Sequence, residues 1–554
     1  MKKTFFKIAC VIAVVIIIAG LTASGGADSR SAPAARTIGT DGPFAKYSTP
    51  VTVNVVAATN EALQKNTLKD NLTFEKNPWT EAFERDLNIK LNYKWIATSG
   101  DDFSQKMNLS IASGDIPDII HGNVVQLARL VNADIIADLT GLFDKYASPL
   151  FKEWMANSSS DPFLPTLFNK KQMAIPRAWS NKDPANAFIW IRTDWLKNLN
   201  MNPPKTMDDL LALSKAFTYN DPDKNGKNDT FGLSVQSAFL SLGGSNHSLE
   251  GFFAGYHAYP QIWLEKGGQL VYGGIQPEVG TALKKLNELY KDGQLDREFT
   301  VKTGAKANED ITAGRVGIMF ANQPAPIGAL FDSVLADPNC DWRPFLLVSA
   351  DSKPVMMRAT IGNDGYYSIK KGFSNPEAVV KMMNLYCELY YNQYRTYGIT
   401  EDVRTIWQLS PVSFVDSAKN VKTHLAIKEA VNTGNTGKLD PEQKAMYDNV
   451  NAFLKGERRM WGYYRIFGPG GETETSQGGI KYYTDNNLYF SDKFVAAPTK
   501  TMGTAKASLD TLQAESFVKI IIGEETFEKF TENWKKLGGD DITKEVNEWY
   551  ATVK

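Results

Sequence analysis

The alternation between Val51 and Asn123 constrains the fold more than any other stretch. VTVNVVAA (Val51–Ala58) alternates and is rich in valine, the pattern of a strand. Trp79–Leu87 has helical spacing, Ile89–Ile96 alternates again, and Asp102–Ser113 returns to helical spacing. Pro117-Asp-Ile-Ile then reads as a third strand ending at His121-Gly-Asn. Strand–helix–strand–helix–strand predicts a parallel sheet with helices on both faces. Ligands of such sheets bind beyond the carboxyl ends of the strands. That puts Thr59, Asn60, His121 and Asn123 at the rim of a cleft. The chain has 554 residues, enough for two or more lobes with cores of their own.

A second block, residues 187–232, carries the most specific chemistry. Ala187–Arg192 is an apolar run fit for a buried strand, Thr193–Leu199 a short helix, and Pro203-Pro204 its stop. Thr206 caps the next helix, with Asp208 and Asp209 in its first turn, where the helix dipole favours negative charge. Leu210, Leu211, Leu213, Ser214 and Phe217 give that helix an apolar stripe. DPDKNGKNDTFG follows. Asp221, Asp223 and Asn225 put side-chain oxygens at positions 1, 3 and 5 of a calcium-type loop. Gly226 supplies the turn at position 6, the Lys227 carbonyl stands at 7 and Asp229 at 9. Position 12 is Gly232 and not a bidentate Glu, so the expected calcium is structural and weakly held. The competing reading is a polar turn, which Asp and Asn form without metal.

Trp190–Leu199 with PPKT and DPDKNGKNDTFG, IASGDIPDII at 111–120, ITAGRVGIMF at 311–320 and the closing KLGGDDITKEVNEWY together resemble the extracellular solute-binding proteins of family 1. Those are the capture subunits of ABC importers, mostly for sugars and oligosaccharides. The resemblance implies an α/β chain of the type II periplasmic-binding-protein kind, two lobes around a cleft with hinge crossings. It implies capture of an oligosaccharide without chemistry, a membrane permease as partner, and a monomer. On that pattern lobe one spans 51–178 plus 362–400, and lobe two 179–361 plus 401–554.

A sugar site needs flat aromatic faces for the C–H face of a pyranose and planar polar groups for its hydroxyls. From their places at loop tips, Trp179, Tyr256, Tyr367, Trp461 and Tyr463 are the stacking candidates. Asn60, Asn123, Asn322, Asn363 and Asp364 are the hydroxyl-binding ones, with His121 beside them at the rim. For every one of these aromatics a packed core position is the competing reading. Trp190, Trp195 and Trp534 are expected in cores. Arg192 and Arg358 are read first as structural ion pairs and second as partners of a uronic carboxylate.

Met1–Leu21 has the basic start and short apolar run of a secretion signal, giving a signal at 1–24 and a flexible leader at 25–50. Ser24 stands where a lipid-bearing Cys would, so the expected product is extracellular, at the cell surface or released, with no lipid at that position. Lys and Arg number 61 against 62 Asp and Glu, so no basic excess points to nucleic acid. Cys340 and Cys387 are too few for a disulfide framework. The four histidines show no HExxH spacing, and His247 and His257 fall in a stretch read as flexible and solvated. No GxSxG occurs. Two alternatives stay open. One is a peptide- or anion-binding protein of the same shape; the other is a secreted polysaccharide-degrading enzyme with a carboxylate pair across its cleft.

Overall fold

The computed structural model describes residues 41–66, 68, 72–158, 161–178, 188–240, 246–359, 363–392 and 407–554. The expectations for residues 1–40, for Trp179, and for the side chains of Asn363 and Asp364 lie outside them.

In the first lobe, Val51–Ala58 runs parallel to Ile89–Ala97, as the alternation predicts. Asp118 joins the next strand to this pair. Its N–H donates to the Asn54 carbonyl at 2.9 Å, while the Asn54 N–H and Nδ2 donate to Asp118 Oδ2 at 2.8 and 2.7 Å. Beyond it the sheet is not parallel. Ile119–Gly122 pairs with Asn363–Ile369, which runs antiparallel both to it and to Ile175–Ala178. The first lobe therefore holds a parallel pair beside a separate antiparallel three-stranded sheet, whose middle strand returns only after the chain has built the strands of the other lobe. Val53, Phe83, Leu87 and Ile89 pack there against Met382, Met383 and Tyr386 of the helix Glu377–Asn392.

Two boundaries differ from expectation. Residues 43–47, expected in a flexible leader, are docked on the first core. Tyr47 Oη donates to Glu377 Oε1 at 2.7 Å, and Lys381 Nζ, on a fully buried side chain, donates to the Ala45 carbonyl at 2.9 Å. A buried ammonium needs acceptors, and this leader segment supplies one. At the other end Leu409, Val412 and Phe414 pack in the first core rather than in lobe two.

The second lobe holds a four-stranded sheet in the order Trp342–Leu346, Phe188–Arg192, Val316–Ala321, Phe231–Leu233. Phe188–Arg192 is buried throughout and antiparallel to both neighbours, which is why it reads as an unbroken apolar run. Trp190, Trp195, Trp342 and Trp534 are core residues. The helices Lys500–Ile522, Phe527–Trp534 and Asp540–Val553 close the same core.

The chain passes between lobes after Ala178, after Ala359 and again after Phe414. Asn157 Nδ2 donates to Asp416 Oδ1 at 2.9 Å across the last passage. Lys422 Nζ there bonds both Glu153, at 2.7 Å, and Asp416, at 2.6 Å.

Candidate ligand cleft

Strand ends of the first lobe surround a cavity of about 250 Å³. Ala57 and Ala58 end the first strand there, His121 the third, and Arg177 the strand before the first crossing. His121 and Tyr367 are cross-strand partners with ring centroids 4.9 Å apart. The Ser413 N–H donates to Tyr367 Oη at 2.9 Å, and Arg177 Nε donates to the Ser413 carbonyl at 3.2 Å and Oγ at 3.0 Å. The Arg177 guanidinium lies 5.6 Å from the Trp407 ring centroid. Trp407 and Ser413 line the same cavity.

A second cavity, about 280 Å³, lies between the lobes. The first lobe contributes Val124 and Val125, immediately after the turn that carries His121. The second contributes Trp263, Tyr272, Phe494, Trp534 and Asp492. Tyr272 stacks on Trp534 at 4.8 Å with their planes 3° apart. Burial pushes the Asp492 carboxyl up to about 6, while its backbone hydrogen bonds and Arg358 pull the other way. Aromatic faces and edges with one fixed carboxylate form a surface suited to a hydroxylated ring.

Of the expected site residues, His121 and Tyr367 meet in the first cavity. Asn123 stands between the two cavities, its Oδ1 capping the helix Val124–Asn132 by accepting from the Gln126 N–H at 2.9 Å. Asn60 is likewise a cap, accepting from the Leu63 N–H at 2.8 Å. Asn322 is half-buried just beyond the strand Val316–Ala321, beside Gln323, whose carbonyl accepts from Ser476 Oγ. Tyr256 and Trp461 are buried in the second core and line neither cavity, and Tyr463 is half-buried two residues along the same short helix as Trp461. The strand Asn363–Ile369 begins with Asn363 and Asp364.

Both arginines weighed for a uronic carboxylate are structural. Arg192 bonds Asp194 and Asp337, the latter at 3.0 Å, and Arg358 bonds Glu250. Arg177, Trp407, Trp263, Asp492 and Phe494 escaped sequence reasoning. Arg177 carried one usable signal, a charge inside the otherwise apolar strand Ile175–Ala178. The others lie where no period is legible.

The acidic loop is compact. The Asn225 and Gly226 N–H groups donate to the two Asp221 oxygens at 3.0 and 3.1 Å. Asn225 Nδ2 donates to Asp223 at 2.8 Å and Asp229 at 3.1 Å, and the Lys227 N–H to Asn225 Oδ1 at 2.7 Å. Burial first, then Asp221 and Asp229, hold the Asp223 carboxyl above its ordinary value. A cation would relieve that crowding. Among the described residues no cluster of three or more Asp, Glu, His or Cys side chains forms a metal cage by itself. The loop's donor set would need Asn225 and a carbonyl besides its aspartates.

His247 is not solvated. It is 1% exposed, bonded to Ser234 Oγ and Asn308 Oδ1, both at 2.7 Å, and burial lowers its pKa. Ser234 is equally buried, so this serine–histidine–asparagine chain clamps a loop and faces no cavity described above. Cys340 and Cys387 are buried free thiols.

Similarity to known proteins agrees with this geometry. Lipoprotein LipO of Bacillus subtilis (strain 168) is 23% identical over 491 residues, covering 87% of this chain and 90% of LipO. A solved HMO-binding, ABC-transporter-associated solute-binding protein from Bifidobacterium longum infantis superposes with a TM-score of 0.57 at 16% identity, covering 91% of this chain and 99% of that one. The Streptococcus pneumoniae ABC-transporter substrate-binding protein FusA, solved as an EF-hand mutant with fructo-nystose, has a TM-score of 0.50 at 16% identity, covering 90% and 99%. This chain belongs to the bacterial extracellular solute-binding proteins, whose family model matches residues 65–386.

Proposed function

We propose that the protein is the carbohydrate-capturing subunit of an ABC importer, closing its lobes on an oligosaccharide and handing it to a membrane permease. The interlobe cavity carries the proposal: rings from one lobe face the helix start of the other, so closure surrounds the ligand from two sides. The sugars in the names of the FusA and HMO-binding structures favour the same ligand class. The protein acts as a monomer outside the cell.

The test is a panel of neutral trisaccharides (gluco-, galacto- and manno-triose and 1-kestose) in thermal-shift and titration assays. A binder at a hundred times its Kd should stabilise the protein by about 2.7 kcal/mol, with no cleavage products on prolonged incubation. Products, or a panel without any binder, would defeat the reading.

Calcium is proposed as a structural ligand of Asp221, Asp223, Asn225, the Lys227 carbonyl and Asp229. When bound it would supply positive charge to these oxygens and hold the loop's shape. Chelation should lower the melting temperature of the wild type and leave that of Asp221→Asn with Asp229→Asn unchanged. An identical melting temperature with and without chelator in the wild type would count against the site.

A further inference from the structure

The cavity between the lobes has a charge pattern that capture of a sugar does not by itself require. Asp492 Oδ1 accepts from the backbone N–H groups of Trp263 and Phe494, each at 3.0 Å, which fixes the carboxylate in place. Its Oδ2 makes no hydrogen bond among the described residues, and the residue lines the cavity. The cations nearby hydrogen-bond other carboxylates: Lys506, also on the lining, bonds Asp510 at 2.5 Å, and Arg358, whose charge acts on Asp492 without a hydrogen bond to it, donates to Glu250. Asp492 is thus a carboxylate of this lining with no ion-pair partner among the described residues.

A carboxylate is an acceptor only. A ring seated against it must offer O–H donors, and a second carboxylate in the same partly dry space is repelled. From this geometry we infer that the interlobe cavity selects an uncharged sugar ring, with Asp492 as the specificity-determining acceptor that excludes a uronic ring. This rests on the sugar-capture reading and narrows its substrate class.

The experiment takes the tightest binder of the neutral panel and the same compound with its primary hydroxyls oxidised to carboxylates. Both are titrated at pH 7 into the wild type and into Asp492→Asn. The asparagine keeps an oxygen for the two backbone N–H groups and removes the charge. The wild type should prefer the neutral compound by about tenfold or more, and the variant should bring the two within about threefold. Repeating the wild-type titration at pH 5 is a second measurement that needs no variant. Protonation of Asp492 should shrink the preference there, with Lys506, Asp510, Arg358 and Glu250 as the other charged groups around it. Equal wild-type affinity for the two compounds, or a preference unchanged by both the substitution and the lower pH, overturns the inference and leaves sugar capture standing. Failure of both sets to bind defeats the capture reading itself.

Discussion

Gly232→Ala should unfold at a clearly lower urea concentration than the wild type, a loss of about 3 kcal/mol or more in the second lobe. A methyl group at Gly232 would stand 2.5 Å from the Cα and carbonyl oxygen of Ser214 and 2.3 Å from its hydroxyl. Two of those atoms are backbone of the helix Met207–Tyr219, so no rotamer change clears the clash. The Gly232 N–H also donates to Thr218 Oγ1 at 3.0 Å, which pins strand to helix at that spacing. The same loop offers its own control. Gly226 has φ +76 but open space around a Cβ, so Gly226→Ala should cost only about 1–2 kcal/mol, the ordinary penalty of the left-handed region. Equal midpoints for the two variants would show that the close approach at Gly232 is not what holds the strand.

Replacing Trp407 and Phe494 together by alanine should weaken oligosaccharide binding by roughly five- to 150-fold, taking about 0.5–1.5 kcal/mol for each ring. Trp407 lines the first-lobe cavity and Phe494 the interlobe one, with the His121–Val125 turn between them. A ligand long enough to occupy both should lose affinity additively, since the rings share no partner. Titration of the two single variants and the double checks this. An unchanged Kd in the double variant would remove both cavities from the binding site. Both rings are half-buried, so the fold should survive their loss.

The elements that period alone can reveal were legible. The strands from Val51 and Ile89 and the unbroken Phe188–Arg192 run stand where the sequence places them. Sheet direction was not. Counting elements in order cannot reveal that Asn363–Ile369 slots between Ile119–Gly122 and Ile175–Ala178. The aromatic candidates failed for a related reason. A glycine beside an aromatic reads as a loop tip, yet Gly462 next to Trp461 marks a tight contact, where a Cβ would lie 2.5 Å from the Pro326 carbonyl oxygen. Gly255 before Tyr256 does the same against Met207. His121 was findable because it stands at the carboxyl end of a strand, and Tyr367 because its strand follows a crossing. Trp407 and Phe494 come from segments without a period, and only tertiary folding brings them to a cavity.

The returning strand has a consequence for how the chain is made. Neither half of the molecule is contiguous: residues 367–390 and 407–414 complete the first body, and residues 461–550 the second. A ribosome that has delivered everything up to Ala359 has made all four strands of the second-lobe sheet but has completed neither core. Folding must therefore wait for the last third of synthesis: a stop before Leu409 leaves both cores unfinished, and a stop between Phe414 and Trp461 leaves only the second one so.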